Sequence, residues 1–288
     1  MVTPDANRDA VAHACLVHGV SQRRACEALE VDRSSVRYRS LRPDDRELRE
    51  AMKAVASQRR RFGYRRIHDL LRPDFPGVNH KRIYRLYKDA NLAVRRRKKA
   101  KRPPCERVPL QLAQKVNDVW SMDFVSDSLS NGRRIKCLTV ADDFSHECVD
   151  IAVDYGISGQ YVTRLLDQAA TFRGYPLAVR TDNGPEFTSR AFMAWATAHG
   201  VRHILTQPGR PMQNGYIESF NGKFRDECLN EQWFLSLPQA RQCIADWRQD
   251  YNEVRPHSSL GRIPPAQFAQ QQRIQTNAAA NLNPQVLD

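Results

Sequence analysis

The chain has 288 residues, a length that allows two or three domains. Of these residues, 41% are hydrophobic, which is enough for at least one full core. No apolar run reaches the length of a transmembrane helix, and the N-terminal residues lack the basic and apolar regions of a secretory signal. The seven cysteines are scattered without a CxxC pair, so we predict neither a disulfide framework nor a zinc ribbon and expect a reducing cytoplasm.

The net charge of +13 is concentrated towards the N-terminus. Residues 1–107 hold 28 lysines and arginines against 13 acidic residues, an excess of 15, whereas residues 108–288 hold 17 against 19. A basic excess confined to one part of a chain predicts contact with a polyanion, most simply nucleic acid. A basic helix on a membrane surface is the alternative interpretation, and it would need its cations on one face of an amphipathic helix.

Residues 1–46 have the pattern of a helix-turn-helix. Helices are predicted over residues 8–18 and 22–29, and a third helix opens at Ser34 or Ser35. An ordinary helical hairpin is the alternative, but the cations of the third element favour DNA binding. These candidate DNA contacts are Arg33, Arg37 and Arg39.

The pattern of residues 47–94 predicts a second helix-turn-helix-like region. Asn79 is predicted to cap a helix whose apolar face leaves its cations free for phosphate. Alone, such a face is more often solvated surface, but its position before a basic linker favours a DNA contact. The candidate contacts in this region are Arg65, Arg66, Lys81, Arg82 and Arg85.

A basic linker is predicted over residues 95–112, because a block of like charges there ends in Pro103 and Pro104. An extended basic segment of this kind is typical of contact with phosphates. The candidate DNA-binding residues of the linker are Arg95, Arg96, Arg97, Lys98 and Lys99.

Strands alternate with helices over residues 113–230. Three strands at short spacing are followed by the order helix–strand–helix–strand–helix. This order predicts a ribonuclease-H-like α/β core, a mixed five-stranded sheet with flanking helices, preceded here by all-α helix-turn-helix modules. A C-terminal helical extension over 231–268 and a disordered, polar tail over 269–288 are predicted to follow.

Three acidic residues occupy positions that suit metal chemistry. Asp123 lies inside the first strand, where a carboxylate is costly to bury unless it is paired or binds a metal. Asp182 ends a buried strand before a glycine turn, and Glu218 lies in a predicted helix over 212–229. Together they would form a site for two Mg²⁺ or Mn²⁺ ions, which hard oxygen ligands prefer.

The polar stripe of the helix 212–229 carries Glu218 together with three other side chains. At about 100° per residue, these fall on one narrow face that we expect to meet DNA: Asn214, Asn221 and Arg225. Among 32 acidic residues some triplet would match a loose template by chance, and Asp142 and Asp143 compete for the role because they also end a strand. Asp127 and Glu186 are loop acids with an ordinary solvated interpretation.

Three segments that contain these acids resemble the DDE signature of bacterial insertion-sequence transposases with a retroviral-integrase-type core. They are WSMDF at 120–124, TDNGPEF at 181–187 and QNGYIESFN at 213–221. The second and third acids are separated by 35 residues, the spacing of that family, and further similarity extends over about residues 20–268. Within the family, the chain is similar to the OrfB product of the insertion-sequence-three group. One departure is Glu30, which stands where a glycine is common in the first helix-turn-helix.

The resemblance implies a DNA transposase that cleaves phosphodiesters and transfers strands with two Mg²⁺ or Mn²⁺ ions. It implies metal-ligand roles for Asp123, Asp182 and Glu218, and a DNA contact for Arg225. The implied partners are double-stranded DNA, as terminal inverted repeats and target, a second copy of the chain, and an upstream-frame protein. The implied location is the bacterial cytoplasm at the nucleoid, with no membrane.

Two other functions remain open at this point. A ribonuclease-H-like nuclease would only hydrolyse DNA, but it has no need of two basic helical modules. A DNA-binding regulator without catalysis would have lost its metal site, whereas all three acids are present here. A retrovirus-type integrase proper is disfavoured, because its N-terminal zinc module needs paired histidines and a CxxC pair.

Overall fold

The computed structural model describes residues 3–38, 44–94, 112–206 and 214–282. They form two compact units that divide between Leu48 and Arg49. Arg39, most of the predicted linker with Arg95, Arg96, Arg97, Lys98 and Lys99, and the last residues of the chain lie outside the described residues. Among the helices that are described, none is long and apolar enough to cross a membrane.

The first unit contains three helices, α1 (Pro4–His18), α2 (Gln22–Ala28) and α3 (Arg33–Arg37). α1 begins earlier than predicted because the Thr3 hydroxyl accepts a hydrogen bond from the Ala6 amide and Pro4 occupies the first turn. α3 is capped by Asp32, whose carboxylate accepts from the Ser34 amide at 2.7 Å, and not by a serine. The small core of this unit is formed by Val11, Ala25 and Cys26, with Val36 packed against it.

The turn between α2 and α3 contains a non-glycine residue in the left-handed region. Glu30 has a φ of +50°, and the following amide, that of Val31, returns to the Cys26 carbonyl at 2.9 Å. A side chain in this backbone conformation is strained by contact between Cβ and the carbonyl oxygen. The position therefore needs the conformation that glycine adopts readily, although the sequence supplies glutamate.

Glu30→Gly is expected to stabilise the three-helix unit by about 0.5–1 kcal/mol, because relief of the left-handed strain exceeds the added entropy of the unfolded chain. Hydrogen exchange of the α1–α3 amides should slow by about two- to five-fold, as that free energy requires. Glu27→Gly, in the ordinary helical backbone of α2, serves as the control and should accelerate the same exchange. Equal effects of the two variants would contradict the strain.

The second unit opens with α4 (Arg46–Gln58), which crosses the division, and continues with α5 (Tyr64–Leu71) and α6 (His80–Asp89). Apolar side chains on one face of each helix are fully buried, among them Met52, Ile67 and Ile83. Asn79 caps α6 as predicted, since its side chain accepts from the Lys81 amide at 2.9 Å.

A mixed five-stranded sheet follows, with the order β3-β2-β1-β4-β5. The strands are β1 (Val119–Ser128), β2 (Arg134–Asp142), β3 (Cys148–Asp154), β4 (Ala178–Thr181) and β5 (Arg202–Leu205). β1, β2 and β3 are antiparallel neighbours, whereas β4 runs parallel to β1 and β5 parallel to β4. The predicted ribonuclease-H-like fold class is confirmed.

Helices cover both faces of the sheet. α7 (Gly159–Arg173) and α8 (Arg190–Ala198) pack on one face with Trp120, Met122 and Val179. α9 (Gly215–Glu227) and α10 (Leu237–Glu253) pack on the opposite face with Val125 and Cys137. Because side chains alternate along a strand, the even-numbered residues of β1 face α7 and α8, and the odd-numbered residues face α9.

The C-terminal residues form α11 (Pro265–Leu282), so the prediction of a disordered tail over 269–288 is wrong for residues 269–282. The polar composition suggested disorder, but glutamine and alanine are good helix formers, and Ala269 is fully buried next to the rest of the unit. Residues 283–288 lie outside the described residues.

Candidate active site

Asp123 occupies an odd-numbered position in β1 and therefore faces α9. Its Oδ1 accepts from the Phe124 amide at 2.7 Å, and its Oδ2 accepts from the side-chain amide of Asn221 at 2.9 Å. The Asn221 carbonyl oxygen in turn accepts from the Thr139 hydroxyl at 2.8 Å. A chain of hydrogen bonds thus fixes one carboxylate between β1, β2 and α9.

Asp182 follows the last residue of β4 and is exposed. β4 pairs with β1 in a register that matches Ser121 with Arg180, so continuing both strands brings Asp182 beside Asp123. The Asp182 Oδ1 accepts from the Gly184 amide at 3.0 Å. A Cβ at position 184 would stand only 3.0 Å from the same oxygen, which explains the glycine in this turn.

Glu218 lies in the first turn of α9 and is exposed. Ile217, Phe220 and Phe224 anchor the helix in the core, which directs Glu218 away from the core. Asn221, three residues later, binds Asp123 directly, so the helix is tied to the strand one turn from Glu218. The residues predicted from separate motifs are therefore neighbours beside the central strand β1, where β4 ends.

The electrostatics agree with this proximity. Burial raises the pKa of the Asp123 carboxyl above its ordinary value, and the negative charges of Asp182 and Glu218 raise it further, against the lowering effect of the Phe124 and Asn221 hydrogen bonds. Within residues 3–38, 44–94, 112–206 and 214–282, no three acidic, histidine or cysteine side chains are close enough to hold a metal ion as a group. The carboxylates repel one another, and this arrangement does not reach a common coordination sphere.

The competing acids have other partners. Asp142 accepts hydrogen bonds from the backbone amides of Asn117, Phe144 and Ser145 and so shapes the turn after β2. Asp143 forms a buried ion pair with Arg180, and burial raises its pKa to about 6. Both acids therefore have structural roles in the described chain.

The prediction of Asp127 as a loop acid is wrong, because β1 extends to Ser128; Asp127 and Glu186 both have local partners. Glu186 pairs with Lys136, which lies over the Phe124 ring, and Asp127 accepts from the Ser128 amide at 2.8 Å. These contacts leave Asp123, Asp182 and Glu218 as the acids gathered beside the middle of β1, where β4 ends.

The polar stripe of α9 differs in part from its predicted role. Asn221 is buried, and its side-chain amide is hydrogen-bonded to Asp123 and Thr139, so it does not form the predicted surface for DNA. Asn214 is also buried, at the start of α9, without a side-chain capping bond. Arg225 is exposed, and its guanidinium donates to the Ser126 carbonyl at 3.4 Å, a contact that leaves it accessible.

Arg66 likewise has a structural partner in place of the predicted DNA contact. Its guanidinium donates to Glu227 at 2.9 Å and lies over the Phe62 ring. Glu227 also receives both arms of Arg255 at 2.6 Å. Because Glu227 ends α9, this cluster joins α5 to the helix that carries Glu218.

Further ion pairs join the region before β1 to the region after it. They are Arg59–Asp250 at 2.5 Å, Arg61–Glu231 at 2.6 Å and Arg262–Asp69 at 2.9 Å. The sequence gives no sign of these partners, because residues more than 150 positions apart leave no periodic signal. Thr139 is recognisable in the sequence as a polar residue inside an apolar strand. The structure places it directly opposite Asp123.

The remaining predicted DNA contacts lie on helix surfaces. Arg33, Arg37, Arg65 and Lys81 are exposed, whereas Arg82 and Arg85 are half-buried. Arg37 donates to Gln22 at 3.0 Å, and Arg65 donates to the Tyr64 hydroxyl at 3.1 Å.

Comparison with known proteins relates the chain to integrase cores and insertion elements. Residues 113–211 and 199–265 match models described as an integrase core domain, and residues 43–100 match a helix-turn-helix-like domain. The chain is 61% identical, over 98% of its length and 82% of the relative's, to the 39.2 kDa protein of insertion element IS476 from Xanthomonas euvesicatoria. It is 23% identical, over 85% of its length and 92% of the relative's, to the putative transposase InsK of insertion sequence IS150 from Escherichia coli.

Among solved structures, the simian T-cell lymphotropic virus intasome in complex with a PP2A regulatory subunit contains a similar chain. The similarity covers 72% of this chain and 74% of that chain, with a TM-score of 0.52 and 16% identity. At this level of identity the likeness concerns the fold, which agrees with the sheet order and helix layers described above.

Proposed function

Because this chain belongs to the transposases of bacterial insertion elements, we propose that Asp123, Asp182 and Glu218 form the centre that cleaves and joins DNA at the ends of its element. The observation that carries this assignment is the meeting of β1, the end of β4 and the first turn of α9, where burial, with the charges of Asp182 and Glu218, raises the pKa of Asp123. Such a group of acids is unfavourable in the absence of cations and is suited to phosphoryl transfer.

The donor set fits two Mg²⁺ or Mn²⁺ ions, since the three side chains offer hard carboxylate oxygens and no thiol or imidazole. Bound there, such ions would favour the ionised form of the attacking hydroxyl and stabilise the leaving oxygen. The chain's own contribution is orientation. Asn221 and the Phe124 amide hold Asp123, and the Gly184 amide holds Asp182.

The proposed DNA contacts differ in accessibility. Arg225 lies two turns beyond Glu218 on α9 and is positioned to meet a phosphate near the reacting one. The surface cations of the helical regions, and those of the linker outside the described residues, supply attraction that is independent of sequence. By the family resemblance we also propose action as a homo-oligomer at the nucleoid in the bacterial cytoplasm, with the upstream-frame protein as a partner.

A strand-transfer assay tests the proposed function. The DNA that flanks the gene supplies candidate inverted repeats, which are placed on a donor plasmid and incubated with the protein, Mg²⁺ and a target plasmid. We expect joined donor–target products. Cleaved but unjoined donor DNA would indicate the nuclease alternative, and intact donor DNA with tight binding would indicate the regulator.

The basic linker is expected to control the salt dependence of DNA affinity. Replacement of Arg95, Arg96, Arg97, Lys98 and Lys99 by glutamine should reduce the slope of log K against log salt by up to about 4.5, at about 0.9 for each phosphate contact on B-DNA. Titration of a labelled duplex at several salt concentrations measures the slope. A control variant with glutamine at the five exposed arginines of residues 113–206 should keep the original slope. Equal slopes for the wild type and the linker variant would show that the linker makes no phosphate contacts.

A further inference from the structure

A groove separates α5 and α6 from the catalytic helix α9. It has a volume of about 950 Å³ and lies within the second unit. Its lining includes Tyr64, Arg65, Tyr84, Ser219, Gly222 and Lys223. The groove thus has one wall from the helix-turn-helix-like region and one wall from the helix that carries Glu218.

The groove begins beside the candidate active site. Ser219 directly follows Glu218, and Gly222 is four residues beyond it, which places Gly222 on the same face of α9 one turn away. Gly222 has no atom within 4 Å of the position that a Cβ would take, so this part of the wall is open. The groove therefore opens within one helical turn of Glu218.

The groove has an excess of positive charge. Glu227 is satisfied by Arg66 and Arg255, and Asp226 faces Arg61 at 3.9 Å. Arg65 and Lys223 form no ion pair with any carboxylate in the part of the chain that the structure describes; the Lys223 Nζ donates to the Ser219 hydroxyl at 3.3 Å. Burial lowers the pKa of Lys223 to about 8, with a further contribution from the Arg255 charge, so an anion beside this amine would be favoured.

Aromatic rings lie beside these cations. The centres of the Tyr64 and Tyr84 rings are 4.8 Å apart at an angle of 55°, and Tyr84 is 45% exposed. Arg65 and Lys88 each lie 5.7 Å from the centre of one of these rings. Exposed aromatic faces among unpaired cations are the arrangement that binds single-stranded nucleic acid, by stacking on bases and contact with phosphates.

We propose that this groove holds a short unpaired DNA segment next to the phosphate that is cut, with Tyr84 stacked on a base and Arg65 and Lys223 contacting phosphates. The proposal rests on the transposase function assigned above, because it places the segment by its distance from Glu218. It assigns to the helix-turn-helix-like region a role in holding the reacting strand, beyond attraction of duplex DNA.

Binding to two labelled probes in EDTA tests the proposal without catalysis. One probe is a blunt duplex of about 30 base pairs, and the other carries in addition a 3′ extension of about five thymidines, within the site size of a stacking groove. We expect the wild type to prefer the extended probe. Tyr84→Ala should lower affinity for the extended probe by about five-fold or more, which is the effect of one lost stacking contact, and leave the blunt probe unchanged.

Two variants serve as controls, and a third tests the phosphate contact of Lys223. Tyr84→Phe keeps the ring and should retain the preference. Tyr155→Ala removes an exposed tyrosine that also has a cation, Arg133, over its ring, but lies outside the groove, and it should have no effect. Lys223→Met should reduce the salt slope for the extended probe by about 0.7, the value of one phosphate contact on a single strand.

Equal wild-type affinity for the two probes would overturn the proposal, as would equal losses for Tyr84→Ala and Tyr155→Ala. Photocrosslinking of 5-iodouracil in the extension gives a second measurement, in which the adduct is expected at Tyr84 or Tyr64 and an adduct elsewhere counts against the groove. Failure of the transposase assignment is separate: a protein that shows the probe preference but no strand transfer would have the groove without the proposed chemistry.

Discussion

The Asp182→Asn variant is expected to lose DNA cleavage by about a thousand-fold or more, since it removes a charged group that acts as part of a unit. Asparagine keeps the shape of the side chain, and its carbonyl oxygen is still able to accept from the Gly184 amide. Asp182 is exposed, so the free energy of unfolding should change little. Cleavage is measured on a labelled donor end in Mg²⁺, and duplex affinity is measured in parallel and should change by less than about two-fold, because the basic helices and linker supply the attraction.

Asp127→Asn is the matched control for that experiment. Asp127 lies on β1 with Asp123, is half-buried, and accepts a hydrogen bond from the Ser128 amide. Because it lies outside the three-carboxylate group, its loss should leave cleavage close to that of the wild type. Near-normal cleavage by Asp182→Asn, or equal losses in the two variants, would remove Asp182 from the catalytic centre.

Much of the site was predictable because it depends on local periodicity. A strand alternates its faces every two residues, so Trp120 and Met122 in the core of one face imply that Asp123 points to the other. The helical period likewise placed Glu218 and Asn221 on one side of α9 and the apolar anchors on another. These rules need no information on distant parts of the chain, and the helix predicted over 212–229 accordingly lies close to the observed α9, Gly215–Glu227.

The partners across the chain were not predictable in the same way. The helical pattern placed the cations of α6 opposite its apolar face, and of these Lys81 is exposed whereas Arg82 and Arg85 are half-buried. The pattern did not reveal that Arg66 faces Glu227, a residue 161 positions away. Asn221 illustrates the same limit: its face of α9 was predicted, but its partner was taken to be DNA when it is Asp123. A charge pattern identifies which side chains leave a helix, whereas the packing of whole elements decides what they meet.

The Glu227→Gln variant is expected to lower the free energy of unfolding by about 3–5 kcal/mol, the effect of removing one partner from a buried ion pair. Arg255 is only 2% exposed and donates with both arms to Glu227, which also receives Arg66. His257 lies 3.1 Å from Arg255 but does not replace the lost charge: burial, with the Arg255 charge, lowers its pKa to about 2, so it is neutral. Glutamine would leave Arg255 buried without a counter-charge.

Thermal unfolding measures this effect. A loss of that size in a unit of more than 200 residues corresponds to a fall in Tm of about 6–20 °C. Asp226→Asn is the matched control, since Asp226 is the preceding residue of α9, is half-exposed and lies 3.9 Å from Arg61, and its loss should cost less than about 1 kcal/mol. Equal shifts for the two variants would show that the buried cluster does not hold α5 against α9. A large shift for Glu227→Gln alone would show that the buried pair between Glu227 and Arg255, which follows α10, stabilises the end of the helix that carries Glu218.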